Sequence, residues 1–318
     1  MRVFDAFNGD ADGICALVQL RLANPEPQAT LITGVKRDIA LLERIDGRNG
    51  DQITALDISL DKNRPALERL LKAGAKVNYF DHHFAGEIPE HPALTAKINT
   101  QPDICTSLLV HRAVKGQFAG WAITGAYGDN LDRSASELAR AQGVSESDAS
   151  RLKRLGICVN YNAYGATEED LHFTPQDLYR RMNRFQDPLE FLDNDGETFS
   201  KLENGYEEDL QSARNAEILL EKPNAAVMRL PDEPWSRRVS GVFGNELAND
   251  FPDRAHAVVT QGARGLLVSV RAPLNNKQGA DEICRQFDTG GGRKAAAGIN
   301  QLPLADLDRF IAIFADYY

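Results

Sequence analysis

The chain has 318 residues, 42% of them hydrophobic and 26% charged, with a net charge of −10. That is enough for about two domains and at least one sizeable core, while no apolar run approaches the ~20 residues that span a bilayer. The charge is uneven: residues 1–221 carry 24 Lys and Arg against 35 Asp and Glu, a net of −11, and residues 222–318 carry 12 against 11, a net of +1. So acidic a first part argues against sequence-independent binding to long duplexes, which needs Lys and Arg on phosphates, and suits a site that concentrates cations.

The N-terminus, "MRVFDAFNGDADG", is strand-like and acidic and lacks the three-part layout of a signal peptide; a cytoplasmic protein with no membrane partner is expected. Apolar, β-rich runs at 3–7, 29–34, 52–58, 76–80 and 121–127 predict strands, with helix-like stretches at 14–23, 38–45, 65–73 and 104–114 between them. Strand alternating with helix at this spacing predicts an α/β fold with a doubly wound, mainly parallel sheet. Residues 133–155 read as helical, 155–170 as a polar, aromatic loop, and 175–185 and 199–220 as helical again. From about Ala225 short strand-like runs, a helix near 279–286 and "DTGGGRKAAAGIN" suggest a second, smaller α/β unit. The four cysteines, Cys15, Cys105, Cys158 and Cys284, form no close pair and are expected to be small buried side chains rather than zinc ligands or disulfides.

The acids fall in a pattern. The run 3–7 leads into Asp10 and Asp12, 52–58 carries Asp57 near its end, 76–80 ends in Asp81, His82 and His83, and 121–127 is followed by Asp129. The carboxyl ends of parallel strands lie along one edge, so these acids are expected to converge. Converging carboxylates repel and need a compensating charge. A divalent metal supplies it, and a mixed oxygen and nitrogen ligand set suits Mn²⁺, with Mg²⁺ or Co²⁺ as other occupants. The ligand number exceeds the need of one ion, which predicts a pair of metals, the arrangement that favours phosphoester hydrolysis.

In these motifs the sequence resembles the DHH phosphoesterase superfamily, specifically members with a C-terminal DHHA1 domain, the RecJ-like and nanoRNase-like phosphodiesterases. "NGDADG" (8–13), "LDIS" (56–59), "DHH" (81–83), "GAYGDN" (125–130) and "GGGRKAAAG" (290–298) carry the likeness. It implies a DHH catalytic domain at 1–195, a helical connector at 196–222 and a DHHA1 substrate-binding domain at 223–318, with the active site in the cleft between them. Carried over motif by motif, Asp10, Asp12, Asp57, Asp81, His82 and Asp129 would be metal ligands, Asp57 bridging two Mn²⁺ ions. His83 would contact the metal shell or the scissile phosphate, so that Asp57, His82 and His83 form the catalytic group. Gly290, Gly291 and Gly292 would offer backbone N–H groups to a substrate phosphate. Two positions depart from the family: Asn8 stands where many members have a metal-binding histidine, and Arg293 where many have the histidine of GGGH. A carboxamide binds Mn²⁺ less strongly than imidazole, whereas arginine remains a phosphate clamp.

Arg264, Arg271, Arg285, Arg293 and Lys294 could grip substrate phosphates, and Phe84, Tyr127, Tyr161 and Tyr164 could stack on bases. With no long basic stripe, a short single-stranded oligonucleotide, RNA or DNA, shortened to mononucleotides by a Mn²⁺-dependent exonuclease, is the expected substrate. The alternatives are a small-molecule phosphatase for nucleoside bisphosphate or a (cyclic) dinucleotide, and a catalytically decayed binding protein. Monomer and homodimer are both compatible with the sequence.

Overall fold

The computed structural model describes residues 1–262 and 265–318. The elements run β1 (Val3–Phe7), α1 (Ala11–Ala23), β2 (Thr30–Ile32), β3 (Gln52–Leu56), α2 (Leu60–Lys72), β4 (Lys76–Asp81), β5 (Leu94–Ile98), α3 (Thr106–Ala113), α4 (Ala119–Gly128), α5 (Asp132–Ala141), α6 (Glu146–Asn162), α7 (Pro175–Met182), α8 (Pro188–Asn194) and α9 (Gly196–Ala213). After them come β6 (Glu217–Glu221), β7 (Ala225–Arg229), α10 (Pro234–Asp250), β8 (Ala255–Gly262), β9 (Gly265–Arg271), α11 (Ala280–Cys284), β10 (Gly290–Arg293), β11 (Ala296–Leu302) and α12 (Leu307–Tyr317). Two compact units result, one of residues 1–163 and 167–203, the other of 164–166 and 204–318.

The first unit is built on a parallel sheet in the order β2-β1-β3-β4-β5. One face packs Phe4, Ala6, Ile53, Ala55, Val77 and Tyr79 against α2 and the Leu41–Arg44 turn. On the other face, α1 sends Arg21 to Asp5 of β1 and Thr54 of β3. Helix α1 is buried from Ala11 to Gln19, because the sheet covers one side and α3, α4, α6 and α7 the rest. The chain leaves β1 toward β2 on one side and later builds β3 on the other, so a switch point lies between β1 and β3. Ligands of such sheets bind outside the strand ends at that point.

Several expected elements differ. Residues 119–128 form the helix α4, not a strand. Every side chain from Trp121 to Gly128 is buried, and an apolar run without a polar face has no period to tell helix from strand. The fifth strand is instead β5, "LTAKI", whose alternating half-buried pattern reads weakly. The helix expected at 38–45 is a single 3-10 turn, Leu41–Arg44. Helix α2 begins five residues before Pro65, which sits inside it. Helix α6 runs into the expected loop as far as Asn162, whose side-chain oxygen accepts the His172 and Phe173 N–H groups. The connector over 196–222 is helical only to Ala213, and its last residues form β6.

The second unit is a six-stranded sheet, β10-β11-β9-β8-β7-β6, antiparallel except between β7 and β8. Its core joins Val227, Ala257, Val259, Val268 and Val270 to Phe310 and Phe314 of α12. All four cysteines are free and buried. No helix among the described residues is long and apolar enough to cross a membrane.

Candidate metal centre

The switch point gathers the expected acids. Asp10 caps α1, its Oδ1 accepting the Gly13 N–H at 3.1 Å, and Asp12 lies in the first turn of that helix. Asp57 follows β3, Asp81 ends β4, and Asp129 follows α4. Asp129 thus reaches the site from a helix end rather than from a strand.

His82 organises the centre. Its Nδ1 lies 3.0 Å from the Ile104 carbonyl, and a carbonyl only accepts, so Nδ1 carries the proton and Nε2 presents its lone pair. Nε2 stands 3.4 Å from Asp57 Oδ1, 3.8 Å from Asp129 Oδ2 and 3.9 Å from Asp12 Oδ2. A histidine whose far nitrogen is held by a main-chain carbonyl is the usual outer support of a metal-ligating imidazole. Two ligand groups result, Asp12–His82–Asp129 and Asp57–His82–His83, the ligand atoms of each lying within 4.8 Å of one another.

The acids are held as firmly. Asp12 accepts the N–H groups of Thr106 and Ser107 at 2.7 Å each, so the free amides at the start of α3 fix its carboxylate. Asp57 accepts the Thr106 hydroxyl at 3.1 Å, and its backbone has φ 59°, a left-handed conformation that side chains other than glycine rarely adopt and that clusters at functional sites. Asp81 is fully buried. One of its oxygens lies 2.7 Å from His83 Nδ1, and the other has no hydrogen-bond partner. Such an orphaned buried carboxylate oxygen fits a cation.

The charges conflict without a metal. Burial, then the charges of Asp10, Asp12, Asp129 and Asp81, push the Asp57 carboxyl well above its usual range. Asp129 is pushed up to about 6 by burial and Asp12, against the pull of Lys36. Burial disfavours a charged His83, but Asp81 and the other acids outweigh it and raise its pKa. An unfolded aspartate ionises near ~3.9. The unfolded chain therefore sheds its protons first, so Asp129 costs the metal-free protein stability as pH rises from about 4 to about 6, and Asp57 adds a cost of the same sign. A divalent cation bound by these ligands would remove that cost, and it needs them ionised. The thermal midpoint gained on adding Mn²⁺ should then grow between pH 4 and pH 7, reaching about 2.7 kcal/mol of stabilisation at a hundredfold excess over the dissociation constant. Scanning calorimetry with Mn²⁺ and with chelator checks this, and a gain independent of pH would contradict it.

Two neighbours were not read from the sequence. The Lys36 ammonium lies 2.5 Å from Asp10 Oδ2 and 2.9 Å from Asn160 Oδ1. Asn8 accepts the Asp10 N–H and donates to the Lys36 carbonyl, each at 3.2 Å, so both ends of its carboxamide are engaged. Lys36 follows β2, and position after a parallel strand was the available signal.

In the second unit, Gly290–Arg293 is not a turn but the edge strand β10, paired with β11. A Cβ at Gly290 would lie 1.7 Å from the Cys284 carbonyl oxygen, and one at Gly292, where φ is +140°, 2.4 Å from Ala297 Cα. These glycines thus have packing reasons. Arg293 and Lys294 are exposed at the hairpin end, with no ion pair among the described residues. The Arg271 guanidinium is held by Asn245, Ser269 and the Val270 and Gly241 carbonyls, and burial lowers its pKa. Arg285 pairs with Asp281 at 3.1 Å, and Arg264 lies outside the described residues. Of the aromatic residues, Tyr127 and Tyr161 are buried with hydroxyls bonded to Ser136 and His172, which leaves no open ring face. Phe84, beside His83, is 73% exposed.

No family model and no curated protein sequence matches the chain. Solved structures do. Exonuclease RecJ bound to manganese matches with a TM-score of 0.65 at 20% identity, over 99% of this chain and 89% of that one. RecJ from Thermus thermophilus in complex with Mn²⁺ gives 0.63 at 18%, over 99% of this chain, which spans 52% of it. The pGpG-specific phosphodiesterase PggH from Vibrio cholerae gives 0.54 at 14%, over 99% and 100%. The chain therefore has the fold of the RecJ and PggH structures, in agreement with the DHH and DHHA1 resemblance of its motifs.

Proposed function

We propose that this chain is a Mn²⁺-dependent phosphodiesterase that releases mononucleotides from short single-stranded oligonucleotides. The observation that carries the reading is the His82 Nε2 lone pair, held by Ile104 among the carboxylates of Asp12, Asp57 and Asp129 at the switch point. These four residues would hold the metal, with Asp81 and His83 beside them. A divalent ion bound there acidifies water near neutral pH and offsets charge on a phosphoryl group. The mixed carboxylate and imidazole donors favour Mn²⁺, which the RecJ neighbours also bind.

The protein's own groups do the rest. His83, 45% exposed at its side chain and bonded to buried Asp81, is placed to hold a proton near the scissile phosphate, and Asp81 sets its orientation. Phe84, exposed next to it, supplies a face on which a base stacks, worth about 1–3 kcal/mol. In the second unit, the exposed Arg293 and Lys294 are cationic groups suited to phosphate, Arg293 as a two-pronged clamp.

A second reading, a dinucleotide phosphodiesterase, has one observation in its favour. The chain covers the whole of the pGpG-specific PggH and about half of the Thermus RecJ. The test is a time course on 5′-labelled RNA and DNA of two to twenty-four nucleotides, with Mn²⁺ and with chelator, beside nucleoside bisphosphate. A Mn²⁺-dependent ladder of shortening oligomers is expected. Cleavage confined to dinucleotides would move the assignment to the second reading, and phosphate release from bisphosphate alone would replace both.

A further inference from the structure

The cluster brings five carboxylates together, yet its two ligand groups do not include Asp10. Asp10 is 3% exposed and uses both oxygens within the protein, Oδ1 for the Gly13 N–H and Oδ2 for the Lys36 ammonium. Lys36 is fixed from four sides. Its ammonium bonds Asn160 as well as Asp10, its backbone N–H donates to Ala163 at 2.9 Å, and its carbonyl accepts from Asn8. The residue that departs from the family motif therefore anchors the loop that delivers this cation.

We infer that Lys36 is a built-in cation on the Asp10 side of the centre, positioned by Asn8, and that the chain holds one divalent ion tightly, on Asp12, His82 and Asp129 beside Asp57, rather than an equivalent pair. An ammonium hydrogen-bonded to a carboxylate oxygen repels a second cation from the same oxygen. It also neutralises Asp10, removing part of the charge that would draw a further ion. The chemistry is economical: one metal and one lysine offset the carboxylates that the ligand number alone assigns to two metals. Asn8 belongs to this arrangement because its carboxamide donates to the Lys36 carbonyl while its oxygen accepts the Asp10 N–H. Lys36 is a positioning residue, acting through Asp10.

The inference rests on the metal-hydrolase reading, and its test does not depend on turnover. Equilibrium dialysis counts Mn²⁺ per chain in the wild type, Lys36→Met and Lys36→Arg, with electron paramagnetic resonance to separate isolated ions from coupled pairs and circular dichroism to confirm folding. The wild type should take up one Mn²⁺ with the hyperfine pattern of an isolated ion. Lys36→Met should take up a second, bound at least about tenfold tighter than any second ion in the wild type, with signal broadening from the neighbouring ion. Lys36→Arg, which keeps the charge, should stay at one. Two ions of comparable affinity in the wild type would overturn the role of Lys36 and leave the hydrolase reading standing. A folded Lys36→Met that still binds one ion would also overturn that role. No ion in the wild type would remove both.

Discussion

On the proposed hydrolase reading, Asp57→Asn should lower kcat by about 10³-fold, the scale of losing one charge-stabilising group in a water-poor site. Asp57 is 2% exposed, lies nearest to His82 Nε2 and accepts from Thr106. Asparagine is the right replacement because φ is 59° there. Asparagine tolerates that conformation, whereas alanine would add about 1–2 kcal/mol of backbone strain and confuse the outcome. The same substitution should raise the thermal midpoint of the metal-free protein, since it removes a carboxyl that burial and four neighbouring acids hold in an unfavourable state. Activity and metal-free stability should therefore move in opposite directions. Steady-state kinetics with Mn²⁺ and melting in chelator read the two, and a variant within tenfold of wild-type kcat would take Asp57 out of the chemistry.

The second large effect is on folding. Asp5 is fully buried in β1, and Arg21 of α1 binds it through Nε and Nη2. The same guanidinium reaches Thr54 and the Asn24 carbonyl. Asp5→Ala strands a buried guanidinium and should cost about 3–5 kcal/mol, while Asp5→Leu with Arg21→Met, which keeps volume and removes both charges, should recover most of that. Urea denaturation of the first unit measures both. A single variant costing less than about 1 kcal/mol would show that Arg21 finds water or another acceptor.

Much of the centre was legible because the acids sit where apolar runs stop. Asp10, Asp12, Asp57 and Asp81 follow short buried strands, and the parallel sheet turns those stops into one edge. Asp129 was placed correctly through the wrong element: α4 is buried on every side, and burial erases the period that separates helix from strand. Lys36 carried only the faint signal of following the strand-like run at 29–34, and Asn160 carried none, since their contact joins residues 124 apart in sequence. Gly290–Gly292 form part of the edge strand β10 where composition suggested a turn; close packing accounts for Gly290 and Gly292, whereas a Cβ at Gly291 would meet nothing within 4 Å.

One short stretch ties the centre together, and mostly through its main chain. The Ile104 carbonyl holds His82, and the Thr106 and Ser107 amides hold Asp12. Amides and carbonyls are the same whatever side chain they carry, so these three supports are blind to most substitutions at 104–107. They depend instead on spacing. Adding or deleting a single residue between Ile104 and Thr106 would shift the carbonyl against the amides by a residue's length, ~3.3 Å, and uncouple the imidazole from the carboxylate. The centre is thus protected against changes of letter and exposed to changes of length.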